Sequence, residues 1–129
     1  MSTSKKKAAA SIVWFEIPAD KPERAKAFYG KLFGWKIKPF PGMADYLHID
    51  TGGADASPDG AVMKRMHSTH TITNYVTVPS VTEFMKKVEK LGGSICKAKT
   101  VVPGMGYFAI CQDTENNTFA IWEIDQAAK

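Results

Sequence analysis

One order of elements occurs twice in this chain, roughly 60 residues apart, and that repetition narrows the possible folds more than any single propensity does. The first copy opens with SIVWFEI at 11–17, whose alternation fits a strand with two different faces, closed by Pro18. Asp20 is placed to cap a helix with Pro22 and Glu23 in its first turn. Ala25, Phe28, Tyr29, Leu32 and Phe33 then recur at helical spacing as one apolar face, and Gly34 supplies the stop. WKIKPF (35–40), DYLHID (45–50) and GAVMKRM (60–66) read as three strands separated by Pro41-Gly42 and by TGGADASPDG.

The same order returns from residue 73. TNYVTVP (73–79) is a strand, and Ser80 with Glu83 forms a capping box. Val81, Phe84, Met85, Val88 and Leu91 make the helical face, and Gly92 ends it. SICKAKTV (94–101), GYFAICQD (106–113) and NTFAIWEI (117–124) follow as strands. Each copy is therefore β-α-β-β-β, and the fold class is α+β: two tandem modules, each a four-stranded mixed sheet with one helix-covered face. One helix cannot cover both faces of a sheet, so the uncovered faces are expected to form a cleft. The expected organisation is a tail over 1–10, one domain over 11–125 with halves 11–66 and 73–125, and a short tail over 126–129.

Period two along each strand sorts the side chains. Phe15, Ile17, Leu47 and Ile49 suit the helix side of the first module, which turns Trp14, Glu16, Tyr46 and His48 to the opposite face. In the second, Val76, Val78, Phe108, Ile110, Phe119 and Ile121 are assigned to the helix side. That leaves Thr73, Tyr75, Thr77, Tyr107, Ala109, Cys111, Ala120 and Trp122 on the other. Aromatic walls with Glu16 and His48 as polar groups describe a small-molecule pocket. The plainer alternative is that the same aromatics fill the space between sheets or a dimer interface. Glu16 and His48 are the candidate catalytic residues, as a base and its orienting partner.

Composition removes other classes. Lys5, Lys6 and Lys7 account for three of the 17 basic residues, leaving 14 against 13 acidic ones in the body. A domain so near neutrality lacks the footprint of a phosphate-backbone binder, so no nucleic acid partner is expected. No apolar run approaches a membrane span of about 20 residues, and no signal-peptide core follows the basic start, which points to a cytoplasmic protein without a membrane partner. Cys96 and Cys111, without CxxC spacing, suit a reducing compartment. His67 and His70 lie in the linker without an evident third ligand.

The duplicated unit, the helix PERAKAFYGKLFGW and the closing VPGMGYFAICQDTENNTFAIWE together resemble the vicinal oxygen chelate superfamily, which includes glyoxalase I, bleomycin-resistance proteins and extradiol dioxygenases. The resemblance spans residues 11–125 and implies a homodimer. Metal-dependent members carry His, Gln or Glu on the first, fourth, fifth and eighth strands. Those positions fall here on Trp14, on Met63 or Lys64, on Thr73 and on Ala120, none of them a usable divalent-metal ligand. Glu123 has the wrong parity to join such a set and reads as a solvated strand-end charge.

No cofactor is therefore expected, a divalent metal being the alternative should the alignment be shifted. The reading is a binder of a small apolar or aromatic molecule through Trp14, Tyr46, Thr73, Tyr75, Tyr107, Ala120 and Trp122. The alternatives are a glyoxalase-related lyase or isomerase working through Glu16 and His48, and a dimeric structural module without a ligand.

Overall fold

The computed structural model describes residues 10–54 and 57–129, so the expected N-terminal tail lies outside the described residues except for exposed Ala10. The described chain divides into two compact units, Val13–Asn74 and Tyr75–Lys129, the second also taking in residues 10–12. Each unit has the β-α-β-β-β order expected from the repeat.

The first module runs β1 (Ile12–Ala19), α1 (Pro22–Phe33), β2 (Lys36–Pro39), β3 (Tyr46–Asp50) and β4 (Asp59–Lys64). Its strands lie in the order β2-β3-β4-β1, antiparallel except for the parallel pair β1 and β4. The α1 crossover carries the chain over one face from β1 to β2, and the β2-β3-β4 meander then returns to set β4 beside β1. Beneath α1 sit Ile37, Leu47, Ile49 and Val62, joined by Phe15, Ile17, Ala25, Tyr29 and Trp35. Gly60 is needed where β4 meets β1, because a Cβ there would run into the Phe15 carbonyl oxygen and ring.

Three local expectations for this module change. β1 continues through Pro18 to Ala19, Pro18 serving as an acceptor for Arg65 Nη2 at 3.4 Å, a role that needs no N–H. Lys21, not Asp20, is the N-cap of α1, without a side-chain cap bond. Asp20 is drawn instead to Arg65, whose Nε donates to its Oδ1 at 2.9 Å. The apolar face of α1 is also wider than its sheet can cover. Phe28, Leu32 and Phe33 stay 59%, 57% and 57% exposed, and only Ala25 and Tyr29 reach the core. Gly34 closes the helix as expected, in the left-handed region at φ 74°, with its N–H on the Gly30 carbonyl.

The second module runs β5 (Thr73–Thr77), α2 (Val81–Lys90), β6 (Ser94–Val102), β7 (Gly106–Gln112) and β8 (Thr118–Ile124), in the order β5-β8-β7-β6 with β5 and β8 parallel. Ser80 caps α2 by accepting the Glu83 N–H at 3.1 Å. Glu123, expected as a solvated charge, accepts the Val81 N–H at 2.9 Å and so satisfies a second donor at the same helix start. Residues 126–129, expected as a tail, are tied down: Ala128 is buried, and its carbonyl accepts the Gly104 N–H at 2.9 Å.

The helix-side core of this module holds Val78, Val81, Ala109, Cys111 and Ile121, with Phe84, Met85, Val88, Ile95, Tyr107 and Phe119 packed around them. That reverses the assignment made for β7. Tyr107, Ala109 and Cys111 lie under α2, and Phe108 and Ile110 take the opposite face. The turn between β7 and β8 explains why. Asp113 and Asn117 close it, which sets Cys111 opposite Phe119 and Ala109 opposite Ile121. Directly opposed residues share a face, so the helix-side position of Phe119 and Ile121 carries Cys111 and Ala109 with it.

Candidate functional site

On the first module, the face away from α1 is built on Ala61, a fully buried alanine paired with His48 across β3 and with Glu16 across β1. Its small side chain leaves room for larger neighbours to lean over it. The Trp14 and His48 rings stack there with centroids 5.6 Å apart and planes 10° from parallel. Phe40, in the segment after β2, meets Trp14, His48 and Tyr46 edge-on at 6.5, 6.2 and 5.7 Å. Such edge-to-face contacts suit the ring quadrupoles.

A chain of hydrogen bonds crosses this cluster. Trp14 Nε1 donates to the Tyr46 hydroxyl at 3.0 Å, and that hydroxyl donates to Glu16 Oε2 at 2.6 Å. Burial, followed by the charge of Glu16 and the bond to it, holds the Tyr46 hydroxyl protonated well above the ordinary phenol range. Tyr46 is thus a fixed proton donor, and Glu16 its acceptor.

His48 is held from its other side. Its Nε2 lies 3.3 Å from Asp59 Oδ2, and Asp59 Oδ1 accepts the Thr51 N–H at 3.1 Å. The carboxylate is therefore anchored while it orients the imidazole. The expected pairing of Glu16 with His48 is replaced by two separate pairs, Glu16 with Tyr46 and His48 with Asp59. Asp59 and Phe40 were missed from sequence. Asp59 opens β4 opposite Trp14, on the same face by alternation. A strand start set one residue earlier would have shown it.

On the second module, the face away from α2 carries Tyr75, Ala120, Trp122, Phe108 and Ile110. Tyr75 and Phe108 have ring centroids 6.2 Å apart. Gly106 accommodates Trp122, whose indole would lie against any Cβ added there. Tyr107 leaves the set of candidates, since its ring lies on the helix side with Lys99 Nζ 4.4 Å from its centroid. Thr73 is buried, and its Oγ1 donates to the Thr71 carbonyl at 3.4 Å.

The four positions matched to family metal ligands do not fit a divalent ion. Trp14 offers only an N–H, already donated to Tyr46. Ala120 is a methyl group, and Thr73 a neutral hydroxyl. On the fourth strand Met63 pairs with Tyr46 and shares its face, whereas Lys64 directs its ammonium to the Asp20 carbonyl at 2.8 Å. Among the described residues, no three His, Cys, Asp or Glu side chains cluster as a metal-holding set. His67 and His70 stack with centroids 5.3 Å apart, but His70 Nδ1 accepts the Met66 N–H at 3.1 Å and His67 Nδ1 lies 3.0 Å from Thr69 Oγ1.

Comparison with known proteins agrees with this architecture. Residues 11–52 match the family described as bleomycin resistance protein-like N-terminal. A glyoxylase-like domain-containing protein of Didymella fabae is 32% identical over 116 residues, covering 85% of this chain and 91% of that protein. A glyoxalase/bleomycin resistance protein/dioxygenase superfamily member from Vibrio splendidus 12B01 superposes with a TM-score of 0.67 at 11% identity, over 91% of this chain and 100% of its own. The Mn(II)-bound glyoxalase from Novosphingobium aromaticivorans does so with a TM-score of 0.62 at 18% identity, over 94% of this chain and 40% of its own. At such identities the two structures speak to the fold alone. No described helix is long and apolar enough to cross a membrane.

Proposed function

This chain belongs to the glyoxalase/bleomycin-resistance family, with the vicinal oxygen chelate fold, and from that premise we propose that it is a metal-independent member binding a small apolar or aromatic molecule. The observation that supports the reading is Trp14. At the position matched to the first-strand ligand it presents a flat indole whose one polar atom is engaged by Tyr46. Trp14, Phe40 and Tyr46 offer apolar area, while Tyr46, Glu16 and His48 supply polar groups that fix orientation. The second module carries an apolar set of its own, Tyr75, Phe108, Trp122 and Ala120, on its face away from α2. We further propose a homodimer working in the cytoplasm.

A second reading rests on the His48–Asp59 pair. An imidazole oriented by an anchored carboxylate, on one face with the Glu16 carboxylate and the protonated Tyr46, is equipment for proton transfer at a carbon acid. The corresponding activity is that of a lyase or isomerase. One set of measurements separates the two. A library of small metabolites is screened by quenching of tryptophan emission, and each binder is then followed for turnover with the native protein, Glu16→Gln and His48→Ala. Binding without turnover supports the carrier reading, and turnover abolished by both substitutions supports the enzyme. A library that neither binds nor reacts contradicts both.

A further inference from the structure

The α1 side of the first module holds a recess, between the β1–α1 connection, the first two turns of α1 and the residue following β4. It is an open depression of about 400 Å³ on the surface, room for a small ligand. Ala19 and Ala25 line it and, being small, leave it open, while Phe28 and Tyr29 form an aromatic wall with ring centroids 5.2 Å apart. Arg65 and Asp20 also line it, and Arg65 is fixed there. Its Nε donates to Asp20 Oδ1 at 2.9 Å, its Nη1 to the His70 carbonyl at 2.9 Å and its Nη2 to the Pro18 carbonyl at 3.4 Å. Asp20 therefore offsets Arg65. Lys21 and Arg24 complete the lining and have no ion pair among the described residues.

Three cations against one carboxylate leave the recess with two uncompensated positive charges beside an apolar wall. We propose that it is a second ligand site, which takes a small aromatic monoanion such as an aryl carboxylate. The anionic head meets Arg24 and Lys21, and the ring lies along Phe28 and Tyr29. Guanidinium suits a carboxylate because its N–H groups match both oxygens at once. Neither part of the ligand suffices alone. Exposed cations hold a free anion weakly, and the open wall buries too little of a neutral ring. Phe28 is 59% exposed, so a ring laid along it would find apolar area still open to solvent.

The test is a titration of the full-length, uniformly ¹⁵N-labelled protein with sodium 2-naphthoate, followed by amide and side-chain NMR. Saturable shifts are expected at residues 19–29 and at Arg24 Nε. Arg24→Glu and Lys21→Glu, both at the surface and checked for folding by spectral dispersion, should each weaken binding about tenfold or more, the scale of one charge-assisted hydrogen bond. 2-Naphthalenemethanol and inorganic phosphate should each bind at least about tenfold more weakly than naphthoate. Equal affinity in the folded charge-reversed variants would overturn the proposal, as would equal binding of the alcohol or of phosphate. Shifts confined to Trp14, Tyr46 and His48 would assign naphthoate to the other face, leaving that site intact and overturning this one.

Discussion

Trp14 donates its indole N–H to the Tyr46 hydroxyl at 3.0 Å, and that hydroxyl gives its own proton to Glu16 at 2.6 Å. The direction is forced, since an indole can only donate and a carboxylate only accept. Tyr46→Phe removes the middle of this chain and leaves a part-buried donor and a part-buried carboxylate each short of one partner. Urea unfolding is expected to show a loss of about 1–3 kcal/mol. An unchanged midpoint would mean that water replaces the phenol without cost.

Ala61 is the floor on which the site stands. Ala61→Leu should force the Trp14 and His48 rings apart, at an overpacking cost of about 1–3 kcal/mol. The sensitive readout is the Trp14 Nε1–H resonance, which should move well beyond the shifts seen at second-module amides. A resonance that stays in place would show that the stack does not depend on the small side chain.

His70 makes stability fall with acid. Desolvation, then the nearby charges of His67 and Arg65, lower its pKa in the folded protein below the ordinary 6.5. The unfolded chain therefore binds more protons between those two values. The stabilising contribution is complete above about pH 6.5 and is lost as pH falls below it toward the folded value. The Met66 N–H aimed at Nδ1 acts in the same direction, because it bonds only an unprotonated nitrogen. Denaturation midpoints measured between about pH 7 and 5 should fall for the native chain and fall less for His70→Gln. Parallel curves would contradict this.

The two thiols should differ sharply in reactivity. Cys96 is exposed, whereas Cys111 is fully buried under α2 and pushed up to about 11, chiefly by burial. An aromatic disulfide reagent near pH 8 is expected to titrate one thiol quickly and the second only after denaturant is added. Rapid reaction of both would place Cys111 closer to solvent than its packing indicates.

What the sequence disclosed followed from short-range pattern. Alternation in SIVWFEI and DYLHID placed Trp14, Glu16, Tyr46 and His48 on one face, and Gly34 and Ser80 marked helix ends by backbone chemistry that does not depend on neighbours. The misplacements have a different origin. Tyr107 was set on the open face by an alternation that assigned Phe108 and Ile110 to the helix side, but the core under α2 takes the small Ala109 and Cys111. Opposition to Phe119 and Ile121, not residue size, decides the face there. Asp59 stayed hidden because the TGGADASPDG segment obscures where β4 starts. Asp20 and Glu123 looked like a local cap and a solvated charge, yet each is claimed by a group far along the chain, Arg65 and the Val81 N–H. Spacing cannot register partners 45 and 42 residues away.

The central claim is that the position of the family's first-strand ligand is held by Trp14, which cannot grip an ion. Elemental analysis is the most direct test. The protein is purified without an affinity tag, incubated with manganese, iron, nickel and zinc salts, and desalted before measurement. Far less than one ion per chain is expected to remain. One tightly held ion per chain, retained after desalting and lost when Glu16 and His48 are replaced together, would contradict the account.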